Sequence, residues 1–515
     1  MDICGNNDYM SIINLFKKRS AQAHPRREPR FALPIKGENL KKIFFDCDDF
    51  VQREISPGGT ALPPVSICWL DGVVSGFDMS DDVFRPLTDP LRFAECRTPM
   101  ECLNIIMYGG VYSYSMKKRT EIDDVVSDLT HGFCSIVFDS LGVAVSFEVR
   151  TTLNRSISEP NVERSTKGGK DAFVENIRAN TSLIRRRIRN PDLKITETTV
   201  GRKSGTRVAV LYVHGIANDD IVTEAKKRID AIDIDGLIAA ENFEQYMCDA
   251  PYSLFPQFIH TERPDKLAIE LLAGRIAFLI DGLPFAFVLP ACLSEFMRVA
   301  EDRARNFVLS SFLTLLRYGA VLLAALFPAL MVAVAMYHQE MIPEKLLLSM
   351  IQAKQEVPFS AATEILLMLL SFELLQEAGT RLPKSLGDTV SIIGALIVGQ
   401  AAVDAKIVSP IAIIIVAAAG ISGYAQPSQD LGSAVRIIRI GAVLAAIALG
   451  LYGVMLLICF IVWHLCTIES FGTAYTSPLS DGGFANTVRA MLRPPIKNDK
   501  YRSPDLKTED KRNQK

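Results

Sequence analysis

Residues 363–379 read TEILLMLLSFELLQEAG, and how they are read decides the fold. The stretch is dominated by Leu, Ile, Met and Phe, yet Glu364, Glu373 and Glu377 sit among them. It fits a soluble core helix, a bilayer span, or part of a polar path through a membrane. Working outward, residues 318–337, 407–429 and 440–468 carry no charge, and 389–403 is a shorter uncharged run. A helix rising about 1.5 Å per residue needs about 20 residues to cross about 30 Å of hydrocarbon. Three runs are long enough outright, so the stretch lies inside a membrane-type half of the chain.

The bulk numbers agree. The chain has 515 residues, 49% of them hydrophobic, and a formal net charge of -2. Its mean hydropathy is +0.20. The length predicts more than one domain, and the balanced charge gives no field for nucleic acid. Ten cysteines, at 4, 47, 68, 96, 102, 134, 248, 292, 459 and 466, form neither CxxC pairs nor a Cys/His metal set. They read as reduced thiols in a cytosolic compartment. The first 20 residues carry Asp2 and Asp8 and only a brief apolar stretch before Lys17 and Lys18, which does not fit a secretory signal.

Residues 1–40 read as a flexible lead-in. From about 41 the chain alternates short apolar runs with charged amphipathic segments, the pattern of an α+β module. SICWLDGVVSGFDMSDDVFRPL (66–87) and AVLYVHGIANDDIVTEAKKRI (209–229) share a β-rich run, a Gly and an Asp-rich helix start, and AFLIDGLPF (277–285) repeats the strand and Asp-Gly turn. Two related soluble subdomains are therefore expected, at 41–155 and 156–270, with a membrane-proximal connector at 271–306. Within the second, Arg185, Arg186, Arg187 and Arg189 end a helical pattern. They form either a solvated basic face or a surface for anionic headgroups or an ion vestibule.

The fold class expected is an α+β two-lobed cytosolic domain followed by an all-α polytopic membrane domain at 307–470. Spans are placed at about 312–337, 388–404, 407–425 and 437–466. Residues 471–515 form a basic tail that the positive-inside rule keeps cytosolic, which favours an even number of crossings. Arg436 and Arg439 then begin the last span from the wrong side. Counting 361–378 as a fifth span would correct them but export the tail. Burying its glutamates costs on the order of 2 to 3 kcal/mol each unless they face protein or water. A re-entrant helical hairpin over 345–379, bent at Val357-Pro358-Phe359, is the reading adopted. Glu373 and Glu377 share a helix face, and with Glu364 they are candidates for an acidic pore mouth or for structural bonds to amides or arginine.

Catalytic signatures are missing. STKGGKDAF (165–173) lacks the GxxxxGK[ST] spacing of a phosphate loop, and GxSxG, HExxH and DFG do not occur. The sequence is read as a non-enzyme with no cofactor and no metal. His338 and Glu340 read as a cap, His214 as a turn residue.

YHQEMIPEKLLLSMIQAKQEVPFSAATEILLMLLSFELLQEAGTRLPKSLGDTVSIIGALIVGQAAV, KIVSPIAIIIVAAAGISGYAQPSQDL and AVRIIRIGAVL together resemble the membrane domain of the A subunit of bacterial spore germinant receptors. FVENIRANTSLIRRRI, VGRKSGTRVAVLYVHGIAND and LFPQFIHTERPDKLAIELLAGRIAFLIDGLPF resemble the soluble half of that family in the same order. Two stretches differ from its pattern. CLSEFMRVAEDRARNF (292–307) replaces an aromatic-rich segment, and STKGGKD replaces an Arg-Gly-Pro.

The resemblance implies a nutrient-responsive complex in the inner membrane of a dormant spore, with both termini cytosolic. It implies a homo-oligomeric ring around a pore for monovalent cations, in contact with membrane lipids, beside a transporter-like nutrient-sensing B-type subunit and a C-type lipoprotein. No nucleic acid is implied. With that activity in view, SIIGALIVGQAAVD (391–404) is the pore candidate. Val390, Ile393 and Ile397 form one stripe, continued by Gln400 and Asp404, that either lines a dewetting gate or packs on neighbouring helices. Two other readings stay open: the paralogous membrane component of the spore dipicolinic acid transport system, and a membrane-anchored small-molecule sensor with its ligand in the soluble cleft.

Overall fold

The computed structural model describes residues 30–59, 63–111, 115–151, 160, 163, 168–381, 399–479, 487, 491–493, 495 and 500–513. They fall into two compact units: residues 1–45, 49–152 and 189–191, and residues 46–48, 153–188 and 192–515.

The first unit holds β1 (Phe50–Ile55), β2 (Val65–Leu70), β3 (Met116–Arg119), α1 (Ile122–Thr130), β4 (Phe133–Phe138) and β5 (Val143–Glu148). The strands form an antiparallel sheet in the order β1-β2-β4-β5-β3. Alternate residues Ile67, Ile136, Val145 and Phe147 point to one face, where Val83, Leu87, Leu103 and Ile106 from short helical turns bury them.

The second unit repeats that plan. Its strands are β6 (Leu193–Val200), β7 (Thr206–Val213), β8 (Ile259–Thr261), β9 (Ile276–Ile280) and β10 (Ala286–Leu289), in the order β6-β7-β9-β10-β8. The strand order is the same as in the first sheet when each is numbered from its own start. β2 and β7, which begin the two similar sequence runs, hold equivalent places. β9 and β10 lie in the stretch expected as a connector from 271, so the second sheet extends to Leu289. The Asp281-Gly282 turn joins them, with Gly282 at φ 91°.

Helices cover both faces of this sheet. On one side α2 (Ile177–Arg187) and α5 (Pro264–Ala273) bury Ile184, Leu267 and Leu271 against Leu211, Leu279 and Val288. On the other α3 (Asp219–Asp230) and α4 (Ala240–Met247) bury Ala225, Ile229 and Phe243 against Val210, Phe278 and Phe287. The side chain of Asn218 accepts from the Asp220 N–H at 2.9 Å and so starts α3.

Among the described residues, besides the helical stretch 399–404, there follow α6 (Phe307–Tyr337), α7 (Glu344–Lys354), α8 (Ala361–Arg381), α9 (Pro410–Tyr424) and α10 (Gln429–Thr467). By length and composition, α6 and α10 are long and apolar enough to cross a membrane, and α9 is a shorter apolar helix. The turn between α7 and α8 contains Val357 and Pro358, where the bend was expected. α8, however, is one continuous helix of 21 residues, a rise of about 31 Å.

The 437–466 region, expected as one span, is not one unbroken helix. Gly450 sits at φ 63°, ψ -142°, outside helical geometry, and splits α10 into two arms. A Cβ built on Gly453 would collide with the carbonyl oxygen of Ala445, so the chain folds back on itself there. The arm ends agree. Asp430 bonds His260 at 2.9 Å, while His464 meets Ser253 at 3.0 Å. An unbroken helix would hold Asp430 and His464 about 50 Å apart, whereas Ser253 and His260 are separated by at most about 25 Å of chain. Only glycine enters that region of φ and ψ freely.

Contacts give the helix directions. The first arm of α10 runs beside α6: Val435 packs with Ala324 and Ala325, and the Tyr337 hydroxyl donates to Ile447 O at 2.6 Å. α8 and α9 run parallel to each other. Glu364 meets Ser409 near their starts, and the Phe372 ring covers Gly420 farther along. After the returning arm, the chain is stitched into the sheet unit: Leu293 N–H donates to Tyr475 O at 2.9 Å, and Tyr475 is fully buried in its core.

We predict that Gly450→Ala lowers the thermal midpoint of the detergent-solubilised protein by the equivalent of about 1 to 3 kcal/mol, the cost of an L-residue in this conformation. The new methyl would also meet the Tyr337 ring at 3.1 Å. Gly441→Ala, in open space on the first arm, is the control and should be neutral or stabilising. Equal effects from both would contradict the reversal.

Candidate functional site

The helical part buries charge and exposes grease. Its interior is lined by Ala329, Ala333, Ala412, Ala442, Ala446 and their neighbours, while Leu322, Leu323, Ile414, Ile421, Leu444 and Phe460 face outward. Ionic groups are found between the helices. Glu373 of α8 accepts from Arg436 at 2.6 Å and also pairs with Arg439, both on the first arm of α10. Arg439 is only 3% exposed. Glu364 is buried, accepts the Ser409 backbone N–H at 3.1 Å where α9 begins, and lies 3.5 Å from Lys354. An N–H at a helix start is an unsatisfied donor with positive character, so a carboxylate there is stabilised.

These placements answer what the glutamates of 363–379 touch. Glu364 and Glu373 are held by an amide and by arginines of neighbouring helices, and Glu377 is exposed on the following turn. Sequence reasoning met Arg436 and Arg439 only as an obstacle to topology. Their three-residue spacing at the head of an apolar run was the available signal for a buried counter-ion. Of the stripe proposed for the pore, Val390, Ile393 and Ile397 lie outside the described residues. Gln400 and Asp404 are exposed one turn apart on the helical residues that follow. Lys406, at φ 56°, pairs with Glu356 at 2.8 Å and so ties this end to the turn before α8.

The four arginines of α2 and its end do not form one surface. Arg185 is buried and donates to Leu193 O at 2.7 Å, which makes it part of the core. Arg187 pairs with Asp171 at 2.5 Å. Arg186 is half-buried and Arg189 exposed.

A second ionic cluster sits where the sheet unit meets α6. Buried Arg275 holds Glu270 at 2.7 Å and Glu295 at 3.4 Å, and Arg303 also reaches Glu270 at 3.2 Å. Burial alone would raise the Glu295 carboxyl, but Arg275, Arg298 and Arg303 hold it well below the usual carboxylate range. Next along the chain, Asp302 binds Arg317 of α6 at 2.5 Å. Nearby, burial opposes charging of His260, yet its bonds to Asp430 and Glu244 outweigh that and push its pKa up to about 9. The imidazolium thus pins the start of α10 to β8. Among the described residues no group of His, Cys, Asp and Glu could hold a metal ion.

Such a fold, two repeated α/β units ending in a helical bundle whose charges are paired internally, defines a bundle-anchored scaffold. The GerA model, described as the Bacillus/Clostridium GerA spore germination protein, matches residues 38–504, and the chain belongs to this family. It is 34% identical over 490 residues to "Spore germination protein KA" of Bacillus subtilis (strain 168), covering 94% of this chain and 89% of that one. It is 35% identical over 447 residues to "Uncharacterized membrane protein YfkQ" of the same organism, covering 86% and 85%. A crystal structure of the N-terminal domain of the A subunit of the Bacillus megaterium spore germinant receptor GerK3 is similar at 28% identity with a TM-score of 0.39. That match covers 51% of this chain and 99% of that domain.

Removing one partner of a buried pair costs about 3 to 5 kcal/mol because the other charge is left uncompensated. Glu373→Leu and Arg439→Met should each lower the thermal midpoint strongly. The double variant should lose less than the two losses combined, by on the order of 1 to 3 kcal/mol of coupling. Additive losses would show that the pair does not form.

Proposed function

We propose that the chain is the A-type subunit of a nutrient germinant receptor. In this reading its helices cross the inner membrane of the spore, and copies of it assemble around a path for monovalent cations. One observation carries the membrane part: small residues and paired charges fill the interior of the helical bundle while Leu, Ile and Phe cover its outside. Water would penalise that surface, and lipid suits it.

In this reading α6 leaves the sheet unit, α8 and α9 return, and the two arms of α10 leave and return, with the 388–404 segment proposed as the crossing between α8 and α9. Six passes place the sheet unit, Arg436, Arg439 and the basic tail all on the cytosolic side, as the positive-inside rule requires. A single pass of α10 sets those arginines and the tail on opposite sides at any count, and in this reading the reversal at Gly450 removes that conflict.

Family membership supports the germination role, and the pore is assigned to 388–404, with Val390, Ile393 and Ile397 as its apolar constriction and Gln400 and Asp404 at one end. In this reading a B-type partner supplies nutrient sensing, a C-type lipoprotein accompanies it, and the chain itself performs no catalysis. The test is nutrient-triggered potassium release from spores of the parent organism. Deletion should abolish release, and Ile393→Ala should leak potassium without nutrient. Normal release after deletion, with dipicolinic acid export altered instead, would overturn the receptor assignment in favour of the transport component.

A further inference from the structure

In the loop between α4 and β8, the segment APYSLFPQF at 250–258, which follows Asp249, contains no charged residue. It is tightly closed. The Gln257 side chain bonds both the N–H of Ala250, at 3.1 Å, and its carbonyl, at 2.6 Å, and Ser253 N–H donates to Ala250 O at 3.1 Å. At the tip of this fixed loop Tyr252 is 100% exposed and Leu254 is 51% exposed. Phe255, by contrast, turns inward to the core shared with Tyr475. The loop therefore spends its backbone hydrogen bonds on presenting a tyrosine and a leucine outward, where a loop in water would carry polar residues.

What lies beside the loop says what covers it. Ser253 Oγ is 3.0 Å from His464 Nε2, on the last turns of the returning arm of α10. The His464 ring stacks near Phe460 with centroids 6.4 Å apart, and Phe460 is 5.8 Å from Trp463. Phe460 and Trp463 are exposed on the arm's outer surface. A loop with Tyr and Leu, a Trp and a His gather at the level where an apolar helix meets its α/β unit. Tyr and Trp collect at that level in membrane proteins, because ring and polar tip suit the boundary between tails and headgroups.

We infer that residues 250–255 form an interfacial anchor, with Tyr252 and Leu254 seated in the headgroup zone of the leaflet in which Trp463 lies. This rests on the proposed membrane placement of α10. The partner is the lipid surface itself, and the consequence is that the second α/β unit is held to the membrane by its own loop as well as by its covalent link to α6.

The test uses the full chain in vesicles of phosphatidylcholine and phosphatidylglycerol, with and without lipids brominated on the acyl carbons near the headgroup. The protein has two tryptophans, Trp69 and Trp463. Trp69→Phe leaves Trp463 as the reference probe. Tyr252→Trp in a Trp69→Phe, Trp463→Phe background reports the loop, and the exposed position leaves folding undisturbed. Both probes should lose about half their fluorescence to brominated lipid and be shielded from aqueous iodide. If Trp463 is quenched by brominated lipid and the loop probe is not, the anchor is wrong while the membrane placement stands, whether iodide reaches the probe or a second copy covers it. If neither is quenched, both fall.

Discussion

Gly450 is the constraint on which the helical half depends. In its conformation a side chain would be strained, so a helix running from 429 cannot pass through it and the chain turns back. Everything near the sheet unit follows from that reversal. Asp430 and His464, 34 positions apart in the sequence, reach the same strand-and-loop region through His260 and Ser253. The returning arm delivers Tyr475 into the core beneath β9 and β10, and the connector after Leu289 bonds to it. The sheet unit and helices are thus one packed body built from distant parts of the chain.

Within that body electrostatics are handled locally. A charged side chain in hydrocarbon is expensive unless another charge, an amide or water meets it. Arg439 and Arg436 meet Glu373, Glu364 meets the start of α9, and Arg317 meets Asp302 before α6 becomes wholly apolar. The stretch CLSEFMRVAEDRARNF supplies Glu295, Arg298, Asp302 and Arg303 to this junction. In this chain the junction is ionic. Paired charges hold the connector.

Much of the α/β half was legible because strands and amphipathic helices announce themselves by period. The Asp-Gly turn after β9 and the resemblance of β2 to β7 pointed to repeated units. The end of the second unit was misjudged because β9 and β10 are almost continuously apolar, which reads equally as a connector toward a membrane. In the helical half, individual apolar runs were visible, but their partners were not. Periodicity says which residues share a face and is silent on which helix meets that face, so the Glu373–Arg439 pairing needed three dimensions. The reversal did leave a trace. The uncharged run 440–468 would rise about 43 Å as one helix, well beyond about 30 Å of hydrocarbon, and it contains Gly450 and Gly453.

The topology of the helical half depends on whether residues 429–467 cross once or go out and back. Impermeant maleimide labelling of single cysteines, in a cysteine-depleted chain in right-side-out membrane vesicles, decides it. Three exposed serines serve as sites: Ser433→Cys at the start of α10, Ser503→Cys in the tail, and Ser349→Cys on α7. The reversal predicts that Ser349→Cys labels in intact vesicles, and that Ser433→Cys and Ser503→Cys both label only after permeabilisation. Labelling of one of Ser433→Cys and Ser503→Cys in intact vesicles and not the other would mean that α10 crosses once, and the six-pass arrangement would be wrong.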